Sequence, residues 1–132
     1  MKRCFWLLNH VPTERQRKEL VERFGMETIE FPPQEVSSFW EDISPTPDLD
    51  KGKMEKVAAW FAPMDSNDLA VVQGEMTASF ALVSLLLKRG MTVLGSVTER
   101  HVRETRSGET IFRSYVFHHI CFRRYQHLLE GE

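Results

Sequence analysis

The sequence predicts an α/β fold in which a Rossmann-like, mainly parallel sheet is flanked by helices and carries a C-terminal antiparallel β-hairpin at one edge. Two passages, residues 4–31 and 69–97, each contain a strand, a helix and a second strand. Such passages imply parallel strands joined by right-handed crossovers. After residue 101 the chain becomes rich in β-branched, aromatic and arginine residues around Ser107-Gly108, which is typical of a two-residue hairpin turn.

The composition agrees with one globular domain of ordinary size, spanning residues 1–132. Of the 132 residues, 42% are hydrophobic and 27% are charged, close to the average for folded proteins. The apolar stretch at residues 80–87 is far shorter than the ~20 residues that cross a bilayer, and residues 4–8 are too few for a secretory signal. Cys4 and Cys121 lack the paired spacing of a zinc site. We therefore expect a reduced, cytoplasmic protein without a membrane partner.

The first passage begins with the short apolar run at residues 4–8, which predicts a buried strand. Thr13 fits the N-cap of a helix, and Gln16 stands three residues later, where a capping box needs it. Gly25 is a plausible end for this helix. Residues 28–31 complete the passage as a second strand.

Three helices and two strands are predicted in the middle of the chain. Apolar residues follow helical spacing over residues 36–43 and again over residues 49–61, with a proline-containing loop between them. Residues 69–72 are typical of a buried strand. The helix at residues 77–88 is apolar nearly all round, so we expect neighbouring elements to cover it on most sides. Residues 92–97 then form a strand parallel to the preceding one.

A two-residue turn at Ser107-Gly108 fixes an expected register for the hairpin. In that register, residues whose numbers sum to 215 face each other. Thr98 is then opposite Phe117. A bulge in either strand would change this pairing.

Strand alternation divides the C-terminal strand into two faces. His118 falls on the face that holds Ile120 and Phe122, so we expect His118 to be buried. His119 falls on the other face with Arg123, and the two Cα atoms lie ~6.6 Å apart along the strand. One phosphodiester could contact both side chains.

Charge is distributed unevenly along the chain, although the net charge is only -2. Residues 1–87 contain nine Lys or Arg and fourteen Asp or Glu, whereas residues 88–127 contain eight and three. The excess of positive charge in residues 88–127 favours an anionic partner. The alternative is a strand surface whose charges only face solvent. Duplex DNA is not expected as a partner, because proteins that bind it are usually basic overall.

The candidate site follows from the predicted sheet, since ligands of open α/β sheets bind beyond the carboxyl ends of the strands. Three segments of the chain arrive there with polar side chains. They are Asn9, His10 and Thr13; Gln73, Gly74, Glu75, Thr77 and Ser79; and Ser96, Thr98 and Arg100.

Several of these residues suit an anionic ligand. Gly74, at a strand-to-helix turn, lets the backbone approach a ligand, and the free amides of the next helix favour anions. Alternatively, Gly74 forms only a tight turn and Thr77 or Ser79 caps the helix. His10 is a candidate acid or base, because imidazole side chains commonly transfer protons in catalysis, or a histidine that bonds to backbone. Arg100 offers paired donors to a phosphate.

The sequence predicts neither a metal site nor a bound cofactor. Glu75 with His10 or His119 is the nearest approach to a metal cluster, but close ligand spacing is absent. The chain also lacks a Walker loop and a GxGxxG fingerprint, which counts against a dinucleotide cofactor.

Four motifs together resemble a small family of CRISPR-associated proteins, the Csx-twenty group of type III systems. The resemblance covers nearly the whole chain, and its most distinctive part is the fourth motif. The motifs are Leu7-Leu8-Asn9-His10, Val72-Gln73-Gly74-Glu75, Thr98-x-Arg100, and Phe117-x-His119-Ile120-x-Phe122-Arg123-x-Tyr125.

This resemblance implies a stand-alone CARF-like domain that forms a homodimer and binds cyclic oligoadenylate, the second messenger of type III antiviral defence. It further implies a ring nuclease that degrades the messenger, with cyclic tetra-adenylate as the expected ring. A non-catalytic sensor of the same ring is the main alternative. An unrelated nucleotide-using enzyme, metal-assisted cleavage and a purely structural protein also remain open.

For a ring nuclease, the chemistry suggests metal-independent attack by the ribose 2′-hydroxyl, which gives linear di-adenylate with a 2′,3′-cyclic phosphate. Arg100 and Arg123 would stabilise the phosphate charge, and His10 or His119 would move protons. Glu75 would act as a base or hold an arginine. The expected roles of the remaining residues are to orient ribose, base or phosphate: Asn9, Thr13, Gln73, Gly74, Thr77, Ser79, Ser96 and Thr98.

Overall fold

The computed structural model describes residues 1–128, so the last four residues of the predicted domain lie outside it. Strands and helices alternate through most of this range. In chain order they are β1 (Arg3–Leu7), α1 (Glu14–Glu22), β2 (Thr28–Glu30), α2 (Gln34–Glu41), α3 (Lys51–Trp60), β3 (Leu69–Val72), α4 (Met76–Lys88), β4 (Thr92–Ser107) and β5 (Thr110–Arg124).

The five strands form one sheet in the order β2-β1-β3-β4-β5. β1 pairs in parallel with β2 and β3, β3 pairs in parallel with β4, and β4 pairs with β5 in antiparallel fashion. The predicted α/β class, the mainly parallel sheet and the antiparallel hairpin at one edge are therefore confirmed. Within residues 1–128, no helix has both the length and the apolar character needed to cross a membrane.

The start of α1 follows the predicted capping box. The Thr13 hydroxyl accepts a hydrogen bond from the Gln16 amide at 3.2 Å, and the Gln16 side chain accepts one from the Thr13 amide at 2.9 Å. Two of the free amides at the start of the helix are thereby satisfied. Gly25 follows the helix with a φ of 70°, a conformation that glycine adopts readily.

Each face of the sheet carries its own apolar core. α1 covers one face, and α2, α3 and α4 cover the other. The α1 core contains Cys4, Trp6, Leu20, Met26, Leu69, Val71, Leu94 and Phe122. The opposite core includes Phe5, Leu7, Val36, Trp40, Val57, Phe61, Leu82 and Leu86.

The expectation that α4 would be covered on most sides is wrong. The helix buries Ala78, Leu82 and a few neighbours against the sheet. Phe80 is 74% exposed and Met76 is 82% exposed. One helix face meets the sheet, and the elements beside α4 do not extend over the other face, so its apolar side chains stay open to solvent.

β4 runs without interruption from the core into the hairpin, where the sequence predicted two separate strands. Ser107 pairs with Thr110, so the two turn residues are Gly108 and Glu109. Paired residue numbers therefore sum to 217 near the turn, and Arg100 lies opposite Phe117. The predicted register is wrong by two residues, because Gly108 occupies the first turn position with a φ of 63°.

A bulge then changes the faces of β5. Val97 pairs with Cys121 while Thr98 pairs with His119, which leaves Ile120 as the extra residue. His119 is consequently buried on the same face as Phe122, with ring centroids 4.5 Å apart.

The bulge contradicts two predictions about the histidines of β5. His118 is exposed rather than buried. Arg123 pairs with Gly95 and lies on the opposite face of the sheet from His119. The two side chains proposed to share one phosphodiester are therefore separated by the sheet.

Candidate functional site

A cleft of about 330 Å³ lies at the carboxyl ends of β1 and β3, beside the part of β4 just beyond its pairing with β3, where the sequence predicted a site. We call it the carboxyl-end cleft. Residues after β1 and β3, and residues of α1, β4 and β5, form its walls. Its lining residues are Leu8, Asn9, His10, Gln16, Gln73, Gly74, Ser96, Thr98 and Phe117.

Gln73 holds β4 at the floor of the cleft. Its side-chain oxygen accepts the Ser96 amide at 2.9 Å, and its side-chain nitrogen donates to the Ser96 carbonyl at 3.4 Å. The Gln73 amide donates to the Leu7 carbonyl at 3.1 Å. The backbone pairing of β3 with β4 ends at Val71 and Leu94, and the hydrogen bonds of the Gln73 side chain join the two segments beyond that point. These two hydrogen bonds fix the position of the Ser96 backbone.

Gly74 makes a close approach to Trp40. A Cβ atom on Gly74 would lie 2.5 Å from the indole Nε1 and 2.8 Å from Cε2. The same indole N–H donates to the Gln73 carbonyl at 2.8 Å. Packing against an aromatic ring therefore accounts for the glycine at this turn.

Ser96, His119 and Glu19 form a hydrogen-bonded chain beneath the cleft. The Ser96 hydroxyl bonds to His119 Nδ1, and His119 Nε2 lies 2.7 Å from a Glu19 carboxylate oxygen. An ionised carboxylate only accepts hydrogen bonds, so Nε2 carries the proton. In the neutral ring Nδ1 is then an acceptor, and the Ser96 hydroxyl donates to it. The chain joins β4, β5 and α1.

Glu19 is a functional candidate that the sequence analysis did not find. Its carboxylate accepts the Phe122 amide at 3.0 Å and an Arg23 N–H at 2.7 Å, in addition to His119. Burial acts to raise the pKa of Glu19, but these hydrogen bonds outweigh it and hold the pKa below its ordinary value. The sequence held one signal for it, because Glu19 stands three residues after Gln16 and next to Leu20, the two buried residues of α1.

His10 is a second candidate for proton transfer at the cleft. Its Nδ1 lies 2.7 Å from the Val11 carbonyl oxygen, which can only accept. Nδ1 therefore carries the proton, and Nε2 has a free lone pair in the neutral ring. The His10 carbonyl accepts the Trp6 indole N–H at 2.7 Å, which fixes the backbone at the end of β1.

Phe117 lines the cleft at its outer rim, and Arg100, which is not a lining residue, faces Phe117 across the hairpin. This pair lies two residue pairs beyond the Thr98–His119 pair. Phe117 is 64% exposed, and the Arg100 guanidinium lies 4.8 Å from the centre of the Tyr115 ring. A cationic group and exposed aromatic rings thus adjoin the polar cleft.

Glu75 and Thr77 do not line the cleft. The Glu75 carboxylate accepts hydrogen bonds from the amides of Thr77 and Ala78 and from the Thr77 hydroxyl, so it caps α4. These hydrogen bonds hold the pKa of Glu75 below its ordinary value. Thr13 likewise caps α1, and Arg123 lies on the other face of the sheet.

Ser79 lines a second cavity of about 510 Å³ on the α4 side, which we call the apolar groove. Gln73 and Gly74 line both cavities and form the ridge between them. The rest of the groove is mostly apolar and comes from α4 and the end of β5. Its other lining residues are Met76, Phe80, Val83, Ser84, Leu87, Tyr125, Gln126 and His127.

The loose metal cluster considered from the sequence is not assembled. Within residues 1–128, no three His, Cys, Asp or Glu side chains are close enough together to hold one metal ion. Cys4 is buried in the core, and burial raises the pKa of its thiol to about 12. Such a thiol is unreactive at neutral pH.

The fold and the cleft define an α/β protein with a polar cavity at the carboxyl ends of its parallel strands. The chain belongs to the family described as the uncharacterized protein MJ1673 family, whose model matches residues 2–123. The uncharacterized protein MJ1673 of Methanocaldococcus jannaschii is 21% identical over 126 residues, which cover 95% of this chain and 98% of that protein. No solved structure matches the chain.

The contact between Gly74 and Trp40 gives a first prediction. Gly74→Ala should lower the free energy of unfolding by about 1–3 kcal/mol, because the added methyl group overlaps the indole ring. Urea denaturation measures the change. Gly52→Ala is the control, since its nearest contact, Asp50, is at an ordinary 3.6 Å. Equal losses in the two variants would contradict the prediction.

A second prediction concerns acid. The pKa of Glu19 is lowered on folding from an ordinary value of 4.5, so the stability it contributes is present above pH 4.5. That contribution disappears as the pH falls through the lowered folded-state pKa. The difference in unfolding free energy between wild type and Glu19→Gln should therefore shrink when urea titrations move from about pH 7 to about pH 3.

Glu22→Gln serves as the control for that experiment, because it removes one negative charge from the exposed side of the same helix. It separates the loss of this particular carboxylate from a general change in net charge. A difference between wild type and Glu19→Gln that stays constant across the titration would refute the assignment.

Proposed function

We propose that this protein is a ring nuclease that binds cyclic oligoadenylate and cleaves it, with cyclic tetra-adenylate as the expected ring. In this role it switches off type III CRISPR antiviral signalling in the cytoplasm, within a Rossmann-like, CARF-like fold. The observation that carries the proposal is the carboxyl-end cleft. It brings together residues from three separate motifs of the family resemblance, at Asn9-His10, Gln73-Gly74 and Thr98.

The surroundings of the cleft suit a nucleotide. The guanidinium of Arg100 at the rim can donate two hydrogen bonds to one phosphate. Phe117 beside it is 64% exposed and offers a flat surface to an adenine base, and such stacking contributes about 1–3 kcal/mol per base. Asn9 and Thr98 line the cleft and offer a side-chain amide and a hydroxyl as further hydrogen-bonding groups. These features favour an anionic ligand that carries aromatic bases.

The size of the cleft supports a homodimer around one ring. A volume of about 330 Å³ is at the low end of the ~300–1,000 Å³ range of small-molecule sites. One chain therefore encloses a part of the ring, and a second chain related by a two-fold axis would enclose the equivalent part. Gln73 and Gly74 adjoin the apolar groove, so a copy packed on Met76 and Phe80 would bring its own cleft to the same ligand.

In the proposed reaction the ribose 2′-oxygen attacks the adjacent phosphorus. A bond from the 2′-oxygen to phosphorus forms, and the bond from phosphorus to the 5′-oxygen breaks. Two such cuts convert cyclic tetra-adenylate into two di-adenylates with 2′,3′-cyclic phosphates. The nucleophile belongs to the substrate, so alignment is the main task of the protein, and alignment can contribute roughly 7–11 kcal/mol.

The cleft offers groups for the remaining tasks. Arg100 is assigned to the negative charge that grows on the phosphate oxygens. His10, with its free Nε2, and the Ser96–His119 pair are the two groups that can accept protons. Arg123 lies on the groove side of the sheet, away from these groups. Its predicted catalytic role stays a prediction.

The direct test is to incubate the protein with cyclic tri-, tetra- and hexa-adenylate in the presence of a chelator and to resolve the products by chromatography and mass spectrometry. We expect cyclic tetra-adenylate to disappear and linear di-adenylate with a 2′,3′-cyclic phosphate to form. Tight binding without turnover would instead identify a sensor. A free 3′-phosphate as the first product would contradict internal attack.

The role of Arg100 has its own test. Arg100→Ala should slow cleavage of cyclic tetra-adenylate by about 10²–10³-fold, because a donor to the developing charge is lost. Arg106→Ala is the matched control, since Arg106 lies on the same face of the hairpin but near its turn, opposite Ile111. Single-turnover rates measure both. Equal effects of the two substitutions would show a general charge effect and contradict the assignment.

A further inference from the structure

The Ser96–His119–Glu19 chain runs from the carboxyl-end cleft, through the buried His119, to Glu19 at a surface depression between α1 and β5. Ser96 lines the carboxyl-end cleft, whereas the His119 side chain is only 5% exposed. Glu19 lies behind the histidine and is itself fixed by the Phe122 amide and by Arg23. Of these three residues, Ser96 is therefore the one that lines the carboxyl-end cleft, where the proposed substrate binds.

The order of partners also determines which way a proton can move. Glu19 keeps the Nε2–H of His119, so Nδ1 presents its lone pair to the Ser96 hydroxyl. When Nδ1 takes the serine proton, the positive imidazolium lies between the serine oxygen and a carboxylate. Serine–histidine–carboxylate triads divide the work in the same way, with the acid holding the tautomer and stabilising the cation.

The Ser96 hydroxyl satisfies the second ring nitrogen of the buried histidine, and it belongs to a residue that also lines the cleft. The Ser96 backbone is held at both its N–H and its carbonyl by Gln73. These contacts and the hydrogen bond to His119 fix the position of Ser96 at the cleft.

We propose that Ser96 is a catalytic residue whose hydroxyl is activated by His119 and Glu19, which act as positioning residues. For its natural substrate this inference rests on the proposed function. The 2′-hydroxyl proton passes to Ser96 Oγ while the Ser96 proton passes to His119 Nδ1. The 2′-oxygen-to-phosphorus bond forms, and the 5′-oxygen leaves and takes a proton from water. The imidazolium then returns its proton to solvent.

The activated hydroxyl can be tested without any nucleotide, using a fluorophosphonate probe. Ser96 Oγ attacks the probe, an oxygen-to-phosphorus bond forms, fluoride leaves and His119 takes the proton. Mass spectrometry of peptides should place the label on Ser96. His119→Gln and Glu19→Gln should slow labelling by about 10²–10⁴-fold, the range of general-base assistance. Glu22→Gln, exposed on the same helix, should label like wild type.

Ring cleavage provides the second arm. Ser96→Ala keeps the bond between His119 and Glu19, so it tests the hydroxyl without removing that tie between α1 and β5. It should slow single-turnover cleavage of cyclic tetra-adenylate by about 10²–10⁴-fold. The same substitution should weaken binding of the ring with methylated 2′-oxygens far less than it slows cleavage. His119→Gln should also remove the acid limb of the pH–rate profile.

The two arms separate the possible failures. An unlabelled Ser96 in the wild type, or labelling that His119→Gln does not slow, would overturn the activated serine. Labelling of Ser96 together with an uncleaved ring would support the activated serine and overturn the proposed function. Cleavage that Ser96→Ala does not slow would overturn the catalytic role of Ser96 and leave the ring nuclease standing. Circular dichroism confirms that each variant is folded.

Discussion

The rest of the site depends on the hydrogen bonds that the Glu19 carboxylate makes with β5. The carboxylate accepts the Phe122 amide and bonds to His119, so it ties the first helix to the last strand. The bulge at Ile120 disturbs the ladder of β5 at this point, and a carboxylate from another element satisfies an amide there. Because His119 is held on that side, its other nitrogen is directed at Ser96.

The bulge and the Gln73 side chain together determine what faces the cleft. The bulge turns His119 inward and leaves His118 exposed, so one extra residue decides which of two adjacent histidines reaches the site. Gln73 fixes Ser96 from the β3 side. Hydrogen bonds of the backbone, of the Gln73 side chain and of the Glu19 carboxylate therefore hold the polar residues of the cleft in place, and they form only when the sheet is complete.

Local features of the fold could be predicted from the sequence, and contacts that join distant segments could not. The Thr13–Gln16 capping box and the strand at residues 69–72 depend on neighbouring residues, and both are confirmed. Six predicted site residues line one cleft because parallel strands bring their carboxyl ends together. The bulge, by contrast, cannot be recognised from the order of residue types in β5. The contact between Glu19 and His119 joins residues that are 100 positions apart in the sequence.

The same separation has a consequence for how the protein matures on the ribosome. Glu19 leaves the exit tunnel before its partners His119 and Phe122, which follow it by 100 and 103 residues. A nascent chain can therefore assemble its first parallel strands while it still lacks a completed site. The contacts among Ser96, His119, Glu19 and Phe122 can form only after residue 122 has left the ribosome.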